Sequence, residues 1–438
     1  MIPALSRRDF QTKSAKTFVL AASTAAASAR AAGSNDRVQI GFIGVANRGR
    51  QLMAAFAEHD DCQASVLCDV DSQAMEKSAG LVDGDVSTTD DFRRVLDNSA
   101  IDAVCIATPD HWHAIQSNLA CAAGKDVYVE KPLSVTIVEG RSMVNAARKY
   151  GRVVQVGTHR RSSPLYHELS HRIQDGMLGK VCLARAYRTS NMAPVGIGHS
   201  PTTPPPDHLN WDMWLGPRAE RPYQDNIAPY KFRWWQDYSS QMGNWGVHYL
   251  DAIRWCVGEE APNSVCAMGG VFAVDDDRTI PDTMEVAFQF KSGRLAMFGQ
   301  YETSSNPMLP TGEIELRGTQ GTAYISSSAY EVLPERSGQF QDKKLPRSKP
   351  EKKQESWSNH RLTTAHARNF LDCMTTRDQP HADVEVGHRS TTFCHLANIS
   401  FAVGRRLEWD AKAERFVGDE EANELLHYEY RKPWSLPS

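Results

Sequence analysis

The chain has 438 residues, 41% hydrophobic and 23% charged, enough apolar side chain for a substantial core, which excludes a wholly disordered, collagen-like or coiled-coil polymer. Its 49 basic and 53 acidic residues leave a formal net charge of −4, with no basic excess to neutralise a phosphate backbone, so nucleic acid is not an expected partner and a small molecule is. The length exceeds one ordinary core and predicts two packed domains, and outside the leader no run of about 18 uncharged apolar residues predicts a membrane span.

Residues 1–33 read Ser6-Arg7-Arg8-Asp9-Phe10, then a mildly apolar run from Thr17, then small residues at Ala27-Ser28-Ala29 and Ala31-Ala32. Paired arginines, a weak apolar region and a small-residue end predict a twin-arginine export signal cut near Ala29 to Ala32. The competing reading is a tail whose arginine pair is accidental. The signal predicts the twin-arginine translocation machinery as a partner and the periplasm as the destination, with the protein free there or membrane-tethered if the leader stays uncut. Such export moves folded chains, so the nine scattered cysteines, which include no Cys-x-x-Cys pair, are expected as small buried hydrophobes, neither disulfides nor metal ligands.

Arg37 to Gly44 is a β-branched run ending at glycine and leading into a helical pattern from about Arg48 to Ala57: strand, tight turn, helix. The turn, Gly44-Val45-Ala46-Asn47-Arg48-Gly49, is a dinucleotide-binding fingerprint with Ala46 in the second glycine's place. The next strand, Ala64 to Cys68, ends in Asp69, 20 positions after Gly49, where a carboxylate accepts from the adenosine ribose hydroxyls and repels a 2′-phosphate. That favours NAD; Arg48, able to pair with such a phosphate, keeps NADP open. A buried strand, Ile101 to Ala107, then runs into Thr108-Pro109-Asp110-His111-Trp112-His113. A helix to Gly124, a strand Asp126 to Val129 before Glu130-Lys131-Pro132, another helix, and Arg152 to Gly157 complete the alternation. Residues 37–157 are thus expected to form a doubly wound parallel sheet with ligands at strand C-terminal ends, where Thr108, His111, Glu130, Lys131 and Gln155 fall.

Residues 158–438 are expected to form the substrate-binding and oligomerisation domain, with C-terminal helices able to pack back on the first. From Val181 the pattern becomes hairpins, Thr283 to Phe290 with Arg294 to Tyr301 and Glu313 to Arg317 with Thr322 to Ile325, an open, mainly antiparallel sheet within an overall α/β fold. Its exposed face predicts a homo-oligomer. A Pro- and Trp-rich stretch is inserted between about Thr189 and Gln241. Gln241 to Asp251 reads as the start of a helix, and the spacing lets Asn244, His248 and Asp251 share one face; a histidine merely capped by a carboxylate has the same pattern. Lys131, at a sheet edge and fixed by Pro132, can hydrogen-bond a reacting oxygen. Trp235 and Trp245, among six tryptophans clustered in sequence, are candidates for stacking on a sugar ring, with packing the alternative; Arg160, Arg161 and Tyr166 are further candidate substrate contacts.

The glycine turn, Thr108-Pro109 with His113, Glu130-Lys131-Pro132, and Gly246-Val247-His248 with Asp251 together resemble the glucose-fructose oxidoreductase and inositol dehydrogenase family, Gfo/Idh/MocA, over essentially the whole mature chain. The resemblance implies a Rossmann domain, a nicotinamide cofactor and a sugar or polyol substrate. Together with the residue pattern it gives expected cofactor contacts from Gly44, Ala46, Asn47, Arg48, Gly49, Asp69, Thr108, Pro109, His111, His113, Glu130, Lys131 and Gln155, while Arg161, Tyr166, Trp235, Trp245 and Asp251 are candidate substrate contacts, with surface charge or ordinary packing the alternative. It implies that His248 and Lys131 bracket the carbinol. The family often has Asp where Asn244 stands; an amide can orient but takes no proton. Net dehydrogenation is the leading expectation. The alternatives are an NAD-dependent glycosidase or lyase that oxidises the sugar transiently, and a non-catalytic sugar-binding protein.

Overall fold

The computed structural model describes residues 37–437 except 341 and 343; the expected export signal lies outside the described residues. Six parallel strands form the first sheet: β1 Val38–Ile43, β2 Cys62–Cys68, β3 Ser87–Thr89, β4 Ala103–Ile106, β5 Asp126–Val129 and β6 Val154–Val156, in the order β3-β2-β1-β4-β5-β6. Every residue of β4, β5 and β6 is buried, because helices cover both faces. Strand order reverses between β1 and β4, opening a crevice at their C-terminal ends. The helix Asn47–Ala57 forms where Gly49, Leu52, Met53 and Phe56 recur at helical spacing and bury one stripe on this sheet.

That face is closed from far along the chain. Phe56 meets the rings of Phe42 (5.8 Å), Tyr128 (5.7 Å) and Phe370 (6.2 Å) edge-on. Phe370 belongs to the helix Asn359–Thr376. On the other face of the sheet Trp434 stands edge-on to Trp112 at 4.7 Å. Beyond β5 the chain is pinned by a capping box: Thr136 accepts from the Glu139 N–H while the Glu139 carboxylate accepts from Thr136, starting the helix Ile137–Lys149.

The second sheet contains β7 Val181–Asn191, β8 Ser264–Gly270, β9 Thr283–Gln289, β10 Leu295–Tyr301, β11 Thr303–Ser304, β12 Ile314–Gly318, β13 Gly321–Ile325, β14 Ala329–Pro334, β15 Glu351–Gln354, β16 Leu407–Asp410 and β17 Arg415–Phe416. Pairing is antiparallel except β7 with β10, which run parallel in the middle of the sheet. Alternate residues (Ala186, Val286, Phe298, Leu316) bury one face against the helices Pro164–Gln174, Val247–Val257 and Val384–Val403. Arg185, Tyr187, Met297 and Glu315 stand on the other face, with Met268 and Phe272 exposed at its margin. Cys182 is exposed and Cys266 half-buried, which departs from the expectation of buried thiols; the other seven are buried, and all nine are free. No helix among the described residues is long and apolar enough to cross a membrane.

Residues 192–240 build a small core of their own from Ile227, Phe232, Trp211, Trp214, Trp235 and Tyr238. Trp211 and Trp214 stack at 4.8 Å. Backbone bonds from Ser72 to His208 (2.9 Å) and from Asn210 to Val70 (2.9 Å) tie this insert to the end of β2, beside the crevice.

Candidate active site

The glycine turn sets the crevice. Gly44 has φ +81°, and a Cβ there would fall 2.6 Å from the Thr108 nitrogen, so the turn touches the end of β4. A Cβ on Gly49 would lie 2.0 Å from the Gly44 oxygen, which makes it the close-packing glycine of the helix. Ala46 is extended (φ −72°, ψ −158°), a conformation its methyl group tolerates. No side chain caps this helix and its first turn has no acid, so its N–H groups and positive dipole end are left for an anion. A pocket lined by Gly44, Ala46, Asp69, Thr108, Pro109 and Gln116, and closed by Leu209, Met213 and Trp214 of the insert, continues from the turn. Thr108 donates to Gln116 at 2.9 Å inside it, and Asn47 is exposed at the helix start. A free helix end, a turn without room for side chains and a buried acid fit a dinucleotide.

Asp69 accepts the N–H of Val45 at 2.8 Å and of Asp71 at 3.0 Å. Burial raises its pKa to about 6 against those donors, so it is ionised at neutral pH and meets a 2′-phosphate as a like charge. Asp69→Ser is therefore expected to shift relative affinity toward NADP about tenfold, or about 1.4 kcal/mol. Calorimetry on nucleotide-free protein checks this, and a wild type that already prefers NADP overturns it. Arg48 does not oppose Asp69: its Nε donates to Glu130 at 2.8 Å, toward the middle of the sheet and away from the ribose acid. Glu130 is buried and Arg48 half-buried, but their mutual attraction outweighs the cost of desolvation, raising the arginine and lowering the carboxylate.

Glu130 is a hub. Its second oxygen accepts the backbone N–H of Lys131 at 3.1 Å, linking the glycine turn to the lysine. His113, fully buried, bridges the Thr108 carbonyl (3.0 Å) and the Pro132 carbonyl (2.8 Å). It clamps the loops after β4 and β5 together and has no face toward a cofactor, which corrects its expected role. Two more expected cofactor contacts turn away. His111 is buried with Nε2 on the Trp214 carbonyl at 2.8 Å and its ring 5.1 Å from that of Tyr238. Gln155 donates to the His366 carbonyl at 2.7 Å, on the side of the helix Asn359–Thr376.

Lys131 Nζ reaches across to the second domain, donating to the backbone oxygen of Asn244 at 3.0 Å and its Oδ1 at 3.3 Å. The acceptor sits in a single π-helical turn, Met242–Gly246, in which Val247 N–H bonds back to Met242 before the α-helix Val247–Val257 begins. Such wide turns recur at functional sites. Burial pulls Lys131 down to about 8, against the Glu130 carboxylate. Burial, and then the positive charge of Lys131, push His248 well below the usual imidazole range, so the ring is neutral. Among the described residues no group hydrogen-bonds its nitrogens.

Asp251 shares a helix with His248 but does not touch it. Its carboxylate is gripped by Arg161, Nε to Oδ1 at 2.9 Å and Nη2 to Oδ1 at 2.8 Å, and accepts from Ser390 at 2.5 Å, all buried. The Arg161 guanidinium lies over Trp255 at 4.9 Å. This pair is structural, so neither Arg161 nor Asp251 is a substrate contact. Tyr166 is fully buried with its hydroxyl on the Ser326 carbonyl at 3.0 Å, and Trp235 packs in the insert with its indole N–H on the Asn226 carbonyl at 2.9 Å; both are packing residues. Trp245 stays at the site, its ring centroid 6.4 Å from that of His248. The sequence reading missed two neighbours. His159, just past β6, has its ring 5.7 Å from His248, an unpartnered buried Nδ1, and a pKa that burial brings down to about 3. Arg188, at the end of β7, lies over Trp245 at 3.7 Å. The two residues before Arg160-Arg161 and the parity of β7 were the available signals.

Two family models cover the chain: "Oxidoreductase family, NAD-binding Rossmann fold" over residues 38–158, and "Oxidoreductase family, C-terminal alpha/beta domain" over 167–300 and 341–436. Among curated relatives, the inositol 2-dehydrogenase of Rhizobium meliloti is 25% identical over 287 residues, 65% of this chain and 74% of its own length. A glycosyl hydrolase family 109 protein of Shewanella pealeana is 30% identical over 122 residues, 26% of this chain and 27% of its own. The matches to the first curated relatives span 27, 56 and 31% of those proteins. A levoglucosan dehydrogenase solved with NADH and levoglucosan superimposes with TM-score 0.66 at 17% identity, covering 85% of this chain and 99% of that one, a likeness of fold.

Proposed function

Because this chain belongs to the Gfo/Idh/MocA oxidoreductase family, with its NAD-binding Rossmann fold, we propose that it transfers a hydride between a sugar or polyol carbinol and a tightly held NAD. The observation that carries this reading is the meeting of Lys131 Nζ with the π-helical turn that leads into His248, a neutral imidazole without a protein partner, at the mouth of the nucleotide crevice. When bound, NAD supplies the acceptor for the electron pair of the carbinol C–H bond.

The rest belongs to the chain. His248 accepts the hydroxyl proton, for which a neutral ring is required. Lys131 hydrogen-bonds the same oxygen and stabilises the negative charge that grows on it. Asn244 holds Lys131 through two oxygens and, lacking a titratable proton, only orients it. Glu130 fixes the backbone of Lys131 and the glycine-turn arginine together. Denaturing the purified protein and identifying the released nucleotide, then following nicotinamide absorbance with sugars and polyols, tests the reading; release of no nucleotide sinks it.

The pH dependence follows from the two shifts. Lys131 acts as the protonated donor, so kcat/KM for oxidation is expected to fall above about pH 8. His248 acts as the neutral acceptor, and its lowered pKa moves the acid limb well below 6.5. Lys131→Arg, permanently charged, should lose the alkaline limb. A profile falling instead between about pH 6 and about pH 7 would mean that an unperturbed histidine governs the rate.

The family 109 glycosyl hydrolase relative favours one second reading. Transient oxidation of a hydroxyl acidifies the neighbouring C–H, permits elimination of a glycoside and returns the hydride. Net oxidation yields a ketone or lactone, whereas this route yields free aglycone and solvent deuterium on the neighbouring carbon. The arginine pair Arg7-Arg8 supports action in the periplasm, where a nucleotide loaded before export must be retained; cell fractionation decides it.

A further inference from the structure

Charge around Lys131 and His248 is one-sided. Arg48 and Arg160 approach the site, but each is matched by a carboxylate, Glu130 at 2.8 Å and Glu313 at 2.6 Å. Two further arginines are not matched. Among the described residues Arg188 and Arg233 form no ion pair. Arg233 donates to the Tyr230 carbonyl at 2.9 Å, and the nearby Asp110 carboxyl is engaged by the Ser239 hydroxyl.

Arg188 is the better placed of the two. It leaves β7 on the same face as Ala184 and Ala186, toward the helix Val247–Val257, so it is not one of the outward sheet residues. Its guanidinium lies against the Trp245 face at 3.7 Å and close to the Tyr249 side chain, so residues on both sides of His248 in sequence flank it. Stacking uses the flat face of a guanidinium and leaves the N–H edge, a fork that matches a carboxylate with two parallel hydrogen bonds. It also occupies one face of Trp245, which removes that face from stacking on a sugar. A half-buried cation held by aromatic rings, with no carboxylate of its own beside the reacting groups, needs an anion from the substrate.

Resting on the oxidoreductase reading above, we infer that the substrate is a sugar acid, such as a hexuronate or an aldonate, whose carboxylate sits on the Arg188 fork while its carbinol lies between Lys131 and His248. A single fork suits a planar carboxylate better than a phosphate ester, whose three oxygens need more donors.

The test uses the full chain with its bound nucleotide and matched ligands: glucuronate, galacturonate and gluconate against glucose, galactose, glucitol and a hexose phosphate. Calorimetry reads binding and nicotinamide absorbance reads transfer. At least one acid is expected to bind about tenfold or more tighter than its neutral counterpart. Arg188→Gln is expected to abolish that preference, and Arg188→Lys, which keeps charge without the fork, to retain part of it. Thermal melts establish that both variants fold. Equal binding of acid and neutral partner, preference for the phosphate, no binding of any acid, or an unchanged preference in folded Arg188→Gln overturns the inference. Transfer with neutral sugars alone overturns it and leaves the oxidoreductase reading standing. Binding of acids without nucleotide reduction under any condition overturns that reading and leaves the Arg188 site standing.

Discussion

Lys131→Met and His248→Ala are each expected to keep fold and nucleotide yet turn over substrate at least about a hundredfold more slowly. The ammonium group of Lys131 is spent on Asn244 in the free site, so its removal takes little from the folded state. What it adds is a donor at the oxygen as charge develops there, and losing one such donor costs about 2.7–4 kcal/mol of barrier. His248 has no structural partner to lose, and a positioned general base contributes about a hundred- to ten-thousandfold. Because both act on one oxygen, the double variant should lose less than the product of the single losses. Single-turnover measurements on protein of known nucleotide content decide the matter. Unchanged turnover in either variant removes that residue from the mechanism.

Arg161→Met is expected to behave in the opposite way, losing about 3–5 kcal/mol of stability with catalytic constants per folded molecule unchanged. Asp251 is 2% exposed and bound by Arg161 and Ser390; removing the Arg161 guanidinium deprives the buried carboxylate of its close partner and leaves only the longer contact with Arg254, at 3.8 Å. Replacing both members, Arg161→Met with Asp251→Leu, should recover only part of the loss, since the buried Arg254, 3.8 Å from Asp251, then loses its carboxylate. Urea denaturation of the three variants reads this. A raised KM with stability intact would return Arg161 to the substrate site.

Legibility in the sequence followed how local each signal was. The strand, glycine turn and helix at residues 38–57 and the acid ending β2 are encoded within short windows, so the crevice was readable in place. Lys131 and His248 stood out because their neighbours in sequence are also their neighbours in space. Arg161, Asp251, Tyr166, Gln155 and His111 were misread for one common reason. A polar side chain near a strand end or on an active-site helix looks functional until its partner is known, and these partners lie 90, 160, 211 and 103 positions away. Spacing within a helix could not reveal that Asp251 faces Arg161 and leaves His248 without a carboxylate. Arg188 escaped for the inverse reason: its parity in β7 puts it on the inner face with Ala184 and Ala186, unlike Arg185 and Tyr187, but its partner Trp245 lies far along the chain.

The helix Asn359–Thr376, which seats Phe370 against Phe56 and Tyr128, sets an order of events during synthesis. The nucleotide sheet is encoded by residues 38–156, so a nascent chain has all six of its strands long before the helix that covers them exists. Until that helix leaves the ribosome, Phe56 and Tyr128 lack the Phe370 ring that covers them, and Gln155 has no His366 carbonyl to bond. A stable nucleotide fold is thus a product of the finished polypeptide. Chaperones that guard nascent apolar surface have this patch to shield while residues 157–376 are made.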